Sequence, residues 1–467
     1  MYTKKSHIHF VGIGGIGMSG IATILKRSGY TISGCDQNTA QNTVDQLKKM
    51  GCHIHNGNNS LECDDRSIDI LVYIPMYAQT IAAVSAEISQ AQSRGIPTIS
   101  RARMLAELMR TKYSIAIAGS HGKTTTSSLI SHILIEAQLD PTIIIGGQLK
   151  NISSNARWGE GEFLVAEADE SDRSFLELRA TLAVITNIDL EHLETYSDLD
   201  DIKQSFKLFL HNLPFYGKAV ICIDNKNIRS LLPLDPVKTI SYGIEQAADF
   251  TASNIVLNPD HSLFTVYTKN NPNPLGNITL PIPGKHNVYN ALGAIALTRE
   301  LGVSFEIISH SLRSFGGVER RFSFHGTYQG ADIFDDYGHH PIEIKHTLTV
   351  ARNRSRNKVT VVFQPHRYTR LKELWNNFIS VFATSDIDTL IVTDIYPAGE
   401  FPIPMITSKL FVQELASLNP PFTIHYVPFE DEFTQIKKKI ALSVGNKDLL
   451  LLLGAGKIHT IAQEISE

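Results

Sequence analysis

Short apolar runs alternate with helix-like stretches along almost the whole chain. Runs of strand length stand at His7–Ile13, Thr31–Cys35, Ile68–Ile74 and Pro97–Ile99, with helical spacing at Ser19–Ser28 and Ile81–Arg94. The alternation resumes with Tyr113–Gly119, a helix from Lys123, and runs at Phe163–Glu167, Leu182–Thr186 and Ala219–Ile223. Strands that are apolar at nearly every position, separated by helices, fit a parallel sheet covered on both faces, so the pattern predicts an α/β protein. Between Asp249 and Pro283 the pattern changes to short alternating segments with NPD and NNPNP turns, which predicts a small antiparallel insertion. Helices near Asn287–Leu301 and Phe305–Phe315 close that unit. After Gly316-Gly317 a third α/β unit begins, with strands near Val359–Phe363, Thr389–Thr393, Thr423–Val427 and Leu449–Leu453. No repeat at a fixed period and no low-complexity tract interrupts this order.

The chain has 467 residues, a length that predicts two to four domains, with three as the central expectation. Lys and Arg number 43 against 47 Asp and Glu, for a net charge of −4. Without a basic excess, nucleic acid and anionic membranes are not expected partners. Cys35, Cys52, Cys63 and Cys222 show neither CxxC nor zinc-site spacing and read as reduced thiols of a cytoplasmic protein. The longest apolar runs, such as Asp448–Gly454, are strand-length, so no membrane insertion is expected. The N-terminal residues run straight into a strand pattern without a signal-peptide core.

Two glycine loops carry the first chemical signals. Gly12, Gly14 and Gly17 form GxGxxG between a strand and a helix, with Gly15 and Gly20 adding further small residues. Such a loop lets backbone approach a diphosphate at a helix N-terminus, and Asp36 stands where a ribose-binding carboxylate would. The residues alone leave NAD, another dinucleotide, or plain strand–helix packing open. The second loop, Gly119-Ser120-His121-Gly122-Lys123-Thr124-Thr125, is a shortened phosphate-binding loop in which Ile117 replaces the first glycine of the longer form. Its N–H groups can cradle phosphate oxygens, Lys123 can reach the β/γ-phosphates, and the Thr124 hydroxyl can bind Mg²⁺.

Other clusters sit at strand ends. Glu167, Asp169, Glu170 and Asp172 follow an apolar strand, and acids beside a phosphate loop can hold Mg²⁺; alone they would read as a solvated loop. His192, in NIDLEHLETY, reads either as a metal ligand or as a buried structural histidine. GKHNVYN, with Asn287 and Asn290, suits hydrogen bonding to a base or ribose, or helix capping. Arg320-Arg321 offers two guanidiniums for phosphates, or an ordinary surface pair. DDYGHHP and QPHRYTR put Tyr337, His339, His366 and Arg367 into loops after two apolar strands of one domain, where a substrate site is expected.

In order, these motifs resemble the Mur ligase family of peptidoglycan synthesis, and within it the branch that joins L-alanine to UDP-N-acetylmuramate. The resemblance covers nearly the whole chain and rests on GIGGIGMSG, RARMLAEL, GSHGKTTT, EADESD, HNLPFYG, GKHNVYNA, GVERRF, DDYGHHPIE, QPHRYTRL and YPAGE. It implies three domains: an N-terminal Rossmann-like UDP-sugar-binding domain (1–112), a central P-loop ATPase-type α/β domain with the antiparallel insertion (113–316), and a C-terminal Rossmann-like amino-acid-binding domain (317–467). It also implies that the first glycine loop takes the UDP-sugar rather than NAD, through Gly12, Gly14, Gly15, Gly17, Met18, Asp36 and Arg101. ATP would lie on Gly119, Ser120, His121, Gly122, Lys123, Thr124 and Thr125, with Asn287 and Asn290 at the adenosine and Arg320 and Arg321 at the phosphates. Thr124, Glu167 and His192 match metal positions for Mg²⁺. Tyr337, His339, His366 and Arg367 would bind the amino acid, and Lys123, Glu167, His192, His339 and Arg367 would carry catalysis.

Three positions depart from the family pattern. Glu191 replaces an aspartate beside the metal histidine, Ile74-Pro75-Met76 replaces a Ser-Ser-Ala segment, and Lys457 replaces the acid of a late GAGDI motif. Phe206, with Lys207 beside it, stands near the place of the carbamylated lysine of related ligases, so no carbamate is expected. A murein tripeptide ligase is the neighbouring alternative. An NAD-dependent oxidoreductase or a non-catalytic nucleotide-binding module is the alternative of a different class.

Overall fold

A computed structural model of the chain describes residues 6–57, 68–152, 154–430 and 433–466. Cys63 lies outside them; Cys35, Cys52 and Cys222 are buried free thiols. The chain forms three sheets. The first has five parallel strands, β1 (His7–Val11), β2 (Thr31–Asp36), β3 (His53–Asn56), β4 (Ile70–Tyr73) and β5 (Thr98–Ser100), in the order β3-β2-β1-β4-β5. The order reverses between β1 and β4, which opens a crevice at their carboxyl ends. The GxGxxG loop leaves β1 there and enters the helix Ile16–Arg27.

The second sheet has ten strands: β6 (Tyr113–Ala118), β7 (Thr142–Leu149), β8 (Ser154–Arg157), β9 (Phe163–Glu167), β10 (Leu182–Ile185), β11 (Lys218–Cys222), β12 (Lys238–Gly243), β13 (Phe250–Leu257), β14 (Ser262–Thr268) and β15 (Asn271–Leu280). Their order is β15-β14-β13-β12-β11-β10-β6-β9-β7-β8. β6 lies between β9 and β10 and is parallel to both, so the phosphate loop after β6 and the acids after β9 emerge at the same sheet end. The Asp249–Pro283 segment supplies β13, β14 and β15, which extend the edge of this sheet.

The third sheet runs β16 (Ser323–Tyr328), β17 (Ala331–Asp336), β21 (Leu449–Leu453), β18 (Val359–Phe363), β19 (Thr389–Val392) and β20 (Thr423–Tyr426). Only the β16–β17 pair is antiparallel among the pairs of this sheet. β21 shows why its sequence is an unbroken leucine run. Leu449, Leu451 and Leu453 pack with Phe363, Phe378 and Phe382 on one face, and Leu450 and Leu452 pack with Ile436, Ile440 and Ile461 on the other. β16 was not marked by its sequence, because most of its side chains are only half-buried and apolar alternation is weak.

The chain gathers into two compact units. One comprises residues 1–255, 263–281 and 287–317 and carries the first sheet and all but a few residues of the second; the other comprises 256–262, 282–286 and 318–467 and carries the third. No helix among the described residues is long and apolar enough to cross a membrane.

Candidate active site

In the first unit, the loop between β6 and the helix Lys123–Glu136 is shaped by two glycines with positive φ, Gly119 at +132° and Gly122 at +81°. A Cβ on Gly119 would stand 2.1 Å from the Thr186 hydroxyl, and one on Gly122 2.4 Å from Asn290 Oδ1, so both backbone angle and space demand glycine. The loop is pinned to the end of β10. The Ser120 N–H donates to the Asn187 carbonyl (3.1 Å) and the His121 N–H to Asn187 Oδ1 (2.9 Å). In return, Asn187 Nδ2 and the Thr186 hydroxyl donate to the His121 carbonyl.

Lys123 curls over this loop. Its Nζ donates to the Gly119 carbonyl (2.6 Å) and to both oxygens of Glu170 (2.8 Å each). Burial alone would lower the lysine pKa, but the Glu170 carboxylate outweighs it and holds Lys123 protonated above its ordinary value. Glu170 itself is pushed up, by burial first, with Lys123 opposing.

Glu167, at the end of β9, accepts from the Thr124 hydroxyl (3.2 Å), the Ser127 hydroxyl (3.0 Å) and the Gly146 N–H (2.8 Å). His192 sits in a left-handed turn (φ 57°), with Nε2 3.7 Å from Glu170 Oε1 and 3.6 Å from Glu191 Oε2. Burial lowers the His192 pKa, but hydrogen bonding to Glu194 and the surrounding carboxylates raise it overall. One ligand atom each from Glu170, Glu191 and His192 lies within 4.8 Å of the others. The structure thus joins Thr124 to Glu167, and His192 to Glu170, one of the acids read as able to hold Mg²⁺, and to Glu191; Glu167 is not part of that group. Glu170 was visible only as one of four acids in a run, and nothing in spacing alone sets it apart. His121 stands 3.6 Å from Asp189 and 3.5 Å from Glu191. Asn290 accepts from the Thr126 hydroxyl (3.3 Å) and donates to Asn287 (3.2 Å), tying the helix Lys285–Glu300 to the loop helix. Thr125 is buried.

At the first sheet, the Gly14 N–H donates to Asp36 Oδ2 (2.8 Å) and the Thr43 hydroxyl to the Gly14 carbonyl (2.7 Å), so Asp36 braces the glycine loop. Met18 is buried, while Gly12 and Gly17 are half-buried and Gly15 is exposed. Arg101, beside Gly17, donates from Nη2 to Asp169 Oδ2 (3.1 Å). Burial would raise the Asp169 pKa, but the Arg101 and Lys123 charges hold it at about 2. Asn155 Nδ2, on β8, donates to the Ile16 carbonyl (2.6 Å). These two contacts tie the first glycine loop to the second sheet.

In the second unit, Tyr337, His339, His366 and Tyr396 form a continuous row of rings. Their centroids are 5.3 Å apart for Tyr337–His339, 5.8 Å for His339–His366 and 5.5 Å for His366–Tyr396. Arg367 has φ 72° and donates from Nε to Glu400 Oε1 (2.6 Å), and the same carboxylate accepts from the Thr369 hydroxyl and N–H. Glu400 therefore fixes the direction of Arg367, a role the sequence reading did not give it. Arg320 donates to the Gly454 (2.8 Å) and Gly456 (3.1 Å) carbonyls and lies over the Tyr337 ring. Arg321 lies 3.6 Å from Glu343 and also faces Tyr337.

Burial and then the Arg370 charge push the His339 and His366 pKa values down, His366 to about 3. Burial and then His346 lower His286 to about 3. In the unfolded chain these rings protonate near their ordinary value of about 6.5, so below that value the unfolded state binds more protons than the native state. Stability is therefore expected to fall as pH drops from about 6.5 towards 3, by roughly 1–2 kcal/mol from His366 alone at about pH 5. Thermal melts of the wild type and His366→Gln across that range check this; the variant should show a shallower decline.

Three family models cover the chain. "Mur ligase family, catalytic domain" matches residues 7–113, "Mur ligase middle domain" 117–298, and "Mur ligase, glutamate ligase domain" 320–456. A UDP-N-acetylmuramate–L-alanine ligase of Syntrophus aciditrophicus is 44% identical over 461 residues, spanning 99% of this chain and 93% of that protein. One of Geotalea daltonii is 44% identical over 467 residues, spanning 100% and 99%. The crystal structure of a UDP-N-acetylmuramate–alanine ligase from Thermotoga maritima superposes with a TM-score of 0.81 at 26% identity, covering 98% of each chain. With three successive domains matched and full-length identity well above the level of shared fold alone, this chain belongs to the Mur ligase family.

Proposed function

We propose that the chain joins L-alanine to the lactyl carboxylate of UDP-N-acetylmuramate at the expense of ATP, giving UDP-N-acetylmuramoyl-L-alanine, ADP and phosphate in cytoplasmic peptidoglycan synthesis. Full-length relatives of that name at 44% identity support the overall reaction. The observation that carries the chemistry is the preformed phosphate loop, with Lys123 charged and directed over it.

The proposed division of labour follows the domains 1–112, 113–316 and 317–467. Gly12, Gly14, Gly15, Gly17, Met18 and Arg101 hold the UDP-sugar, its diphosphate on the glycine loop, with Asp36 bracing that loop and facing the ribose. Gly119–Thr125 receive the ATP phosphates, with Asn287 and Asn290 at the adenosine and Arg320 and Arg321 as further phosphate ligands. The lactyl carboxylate oxygen attacks the γ-phosphorus and ADP departs, leaving an acyl phosphate. Lys123 stabilises the charge on the transferred phosphoryl group. The alanine ammonium first gives up a proton to solvent, and the neutral amine attacks the acyl carbon. As the tetrahedral intermediate collapses the C–O bond to phosphate breaks, the nitrogen loses a second proton to the departing phosphate or solvent, and the amide remains. Arg367, fixed by Glu400, holds the alanine carboxylate. His339 and His366, kept uncharged by burial and neighbouring arginines, face the amine without repelling it. Hard oxygen donors on Thr124 and Glu167, together with His192 and its carboxylate neighbours, fit Mg²⁺, which would draw charge from the phosphates.

Phosphate release should require UDP-N-acetylmuramate, ATP and L-alanine together; release that is indifferent to the UDP-sugar would remove the assignment. Glu167→Ala and His192→Ala should raise the Mg²⁺ concentration for half-maximal activity and leave UDP-sugar binding, read by calorimetry, largely intact. Loss of UDP-sugar affinity with an unchanged Mg²⁺ requirement would overturn the placement of the metal.

A further inference from the structure

Beneath the first sheet, next to the first glycine loop, whose Gly12 and Ile13 N–H groups donate to the Cys35 carbonyl, three side chains from three elements converge. They are His9 on β1, Cys35 on β2, and Glu87 on the helix Ala82–Ser93. All three are 0% exposed. His9 Nε2 is 3.3 Å from Glu87 Oε1, Cys35 Sγ is 3.2 Å from Glu87 Oε2, and one ligand atom from each residue lies within 4.8 Å of the other two. Glu87 shares its helix face with Val84, Ile88 and Ala91, where an apolar residue would otherwise pack. A glutamate is seldom buried so fully unless it is paired or bound to a metal.

We propose that His9, Cys35 and Glu87 form a buried zinc site that holds β1, β2 and the helix Ala82–Ser93 together. Ligand separations of this size match a shared ion about 2.0–2.3 Å from each atom. The donor set of one sulfur, one imidazole nitrogen and one carboxylate oxygen selects a borderline-soft ion over Mg²⁺ or Ca²⁺. Charge closes as well: a thiolate and a carboxylate offset the two positive charges of zinc, and the imidazole is neutral. Binding releases the thiol proton and any proton on His9 Nε2 to solvent. The surroundings already orient the imidazole. His9 Nδ1 is 2.8 Å from Ser33 Oγ, which is 2.7 Å from His7 Nε2, so the far nitrogen is fixed and Nε2 faces Glu87 and Cys35. Because the site is closed to solvent, the ion enters as the domain folds.

The competing account is a purely hydrogen-bonded trio, with the Cys35 thiol and His9 donating to Glu87. The experiment uses the full chain carrying His192→Ala, which removes zinc held near Glu170 and Glu191. Protein from zinc-supplemented cells is purified in chelator and its metal content measured. About one zinc per chain should remain, and it should be lost in the protein that also carries Cys35→Ser. Little zinc in the first protein, or the same content in both, overturns the proposal. Wild-type protein produced in cobalt-supplemented cells supplies a second reading that needs no core substitution. A thiolate-to-cobalt absorption band supports the site, and its absence overturns it.

Discussion

Lys123→Ala is expected to lower turnover by about 10²–10³-fold or more, because charge stabilisation aimed at a transferring phosphoryl group is among the largest single terms in such catalysis. The structure adds a second consequence. The Glu170 side chain is 3% exposed and bonds Lys123 through both oxygens. Removing the ammonium leaves a buried carboxylate without this partner, a loss of at most about 3–5 kcal/mol in stability. The two effects separate in the double variant Lys123→Ala, Glu170→Gln. Its neutral amide needs no counter-charge, so the melting temperature should recover while turnover stays low. Steady-state kinetics and thermal melts on the same three proteins make the comparison. A Lys123→Ala protein that keeps most of its turnover would take the lysine out of the reaction.

The second large effect concerns the amine. With L-alanine and L-Ala-γ-D-Glu-meso-diaminopimelate offered at equal concentration, the product should carry alanine almost exclusively. Both candidate amines would meet the same UDP-sugar, so the choice belongs to the unit that carries Tyr337, His339, His366 and Arg367. In the proposed role Arg367 pairs with a free α-carboxylate; in the tripeptide the first carboxylate is already an amide. Exclusion by size and by loss of that charge is expected to exceed discrimination against one extra methylene, which is roughly 1–3 kcal/mol. Serine and glycine should therefore be slow substrates, with the tripeptide slower still. Mass spectrometry of the UDP-linked product decides, and predominant tripeptide incorporation would move the chain to the neighbouring branch of the family.

What the sequence made legible follows from where chemistry attaches to a parallel sheet. Glycine loops directly after β1 and β6, and acids after β9, are local signals: an apolar run ends and the next few residues carry the polar groups. Lys123, Thr124 and Glu167 were readable for that reason, and the structure brings Thr124 and Glu167 into contact. Partners drawn from distant segments were not readable. Glu170 meets Lys123 across 47 residues and Glu400 meets Arg367 across 33, and neither spacing has a period to reveal it. Strand β16 escaped because half-buried strands lose their alternation. Asp36 was singled out as a carboxylate for ribose, and in the structure it accepts the Gly14 N–H; this contact belongs to the loop's conformation, which a string of letters does not display.

The Lys123–Glu170 pair bears on how strongly this loop would hold a phosphate. The lysine is turned over the loop and bonded by an internal anion. A phosphate oxygen held by Lys123 would share or replace the Glu170 carboxylate as partner of its ammonium. Glu170 acts as a tethered competitor for the place a phosphate oxygen would claim. Nucleotide affinity is then a difference between two partners of one ammonium, so any change that tightens the internal pair weakens the nucleotide site by the same measure.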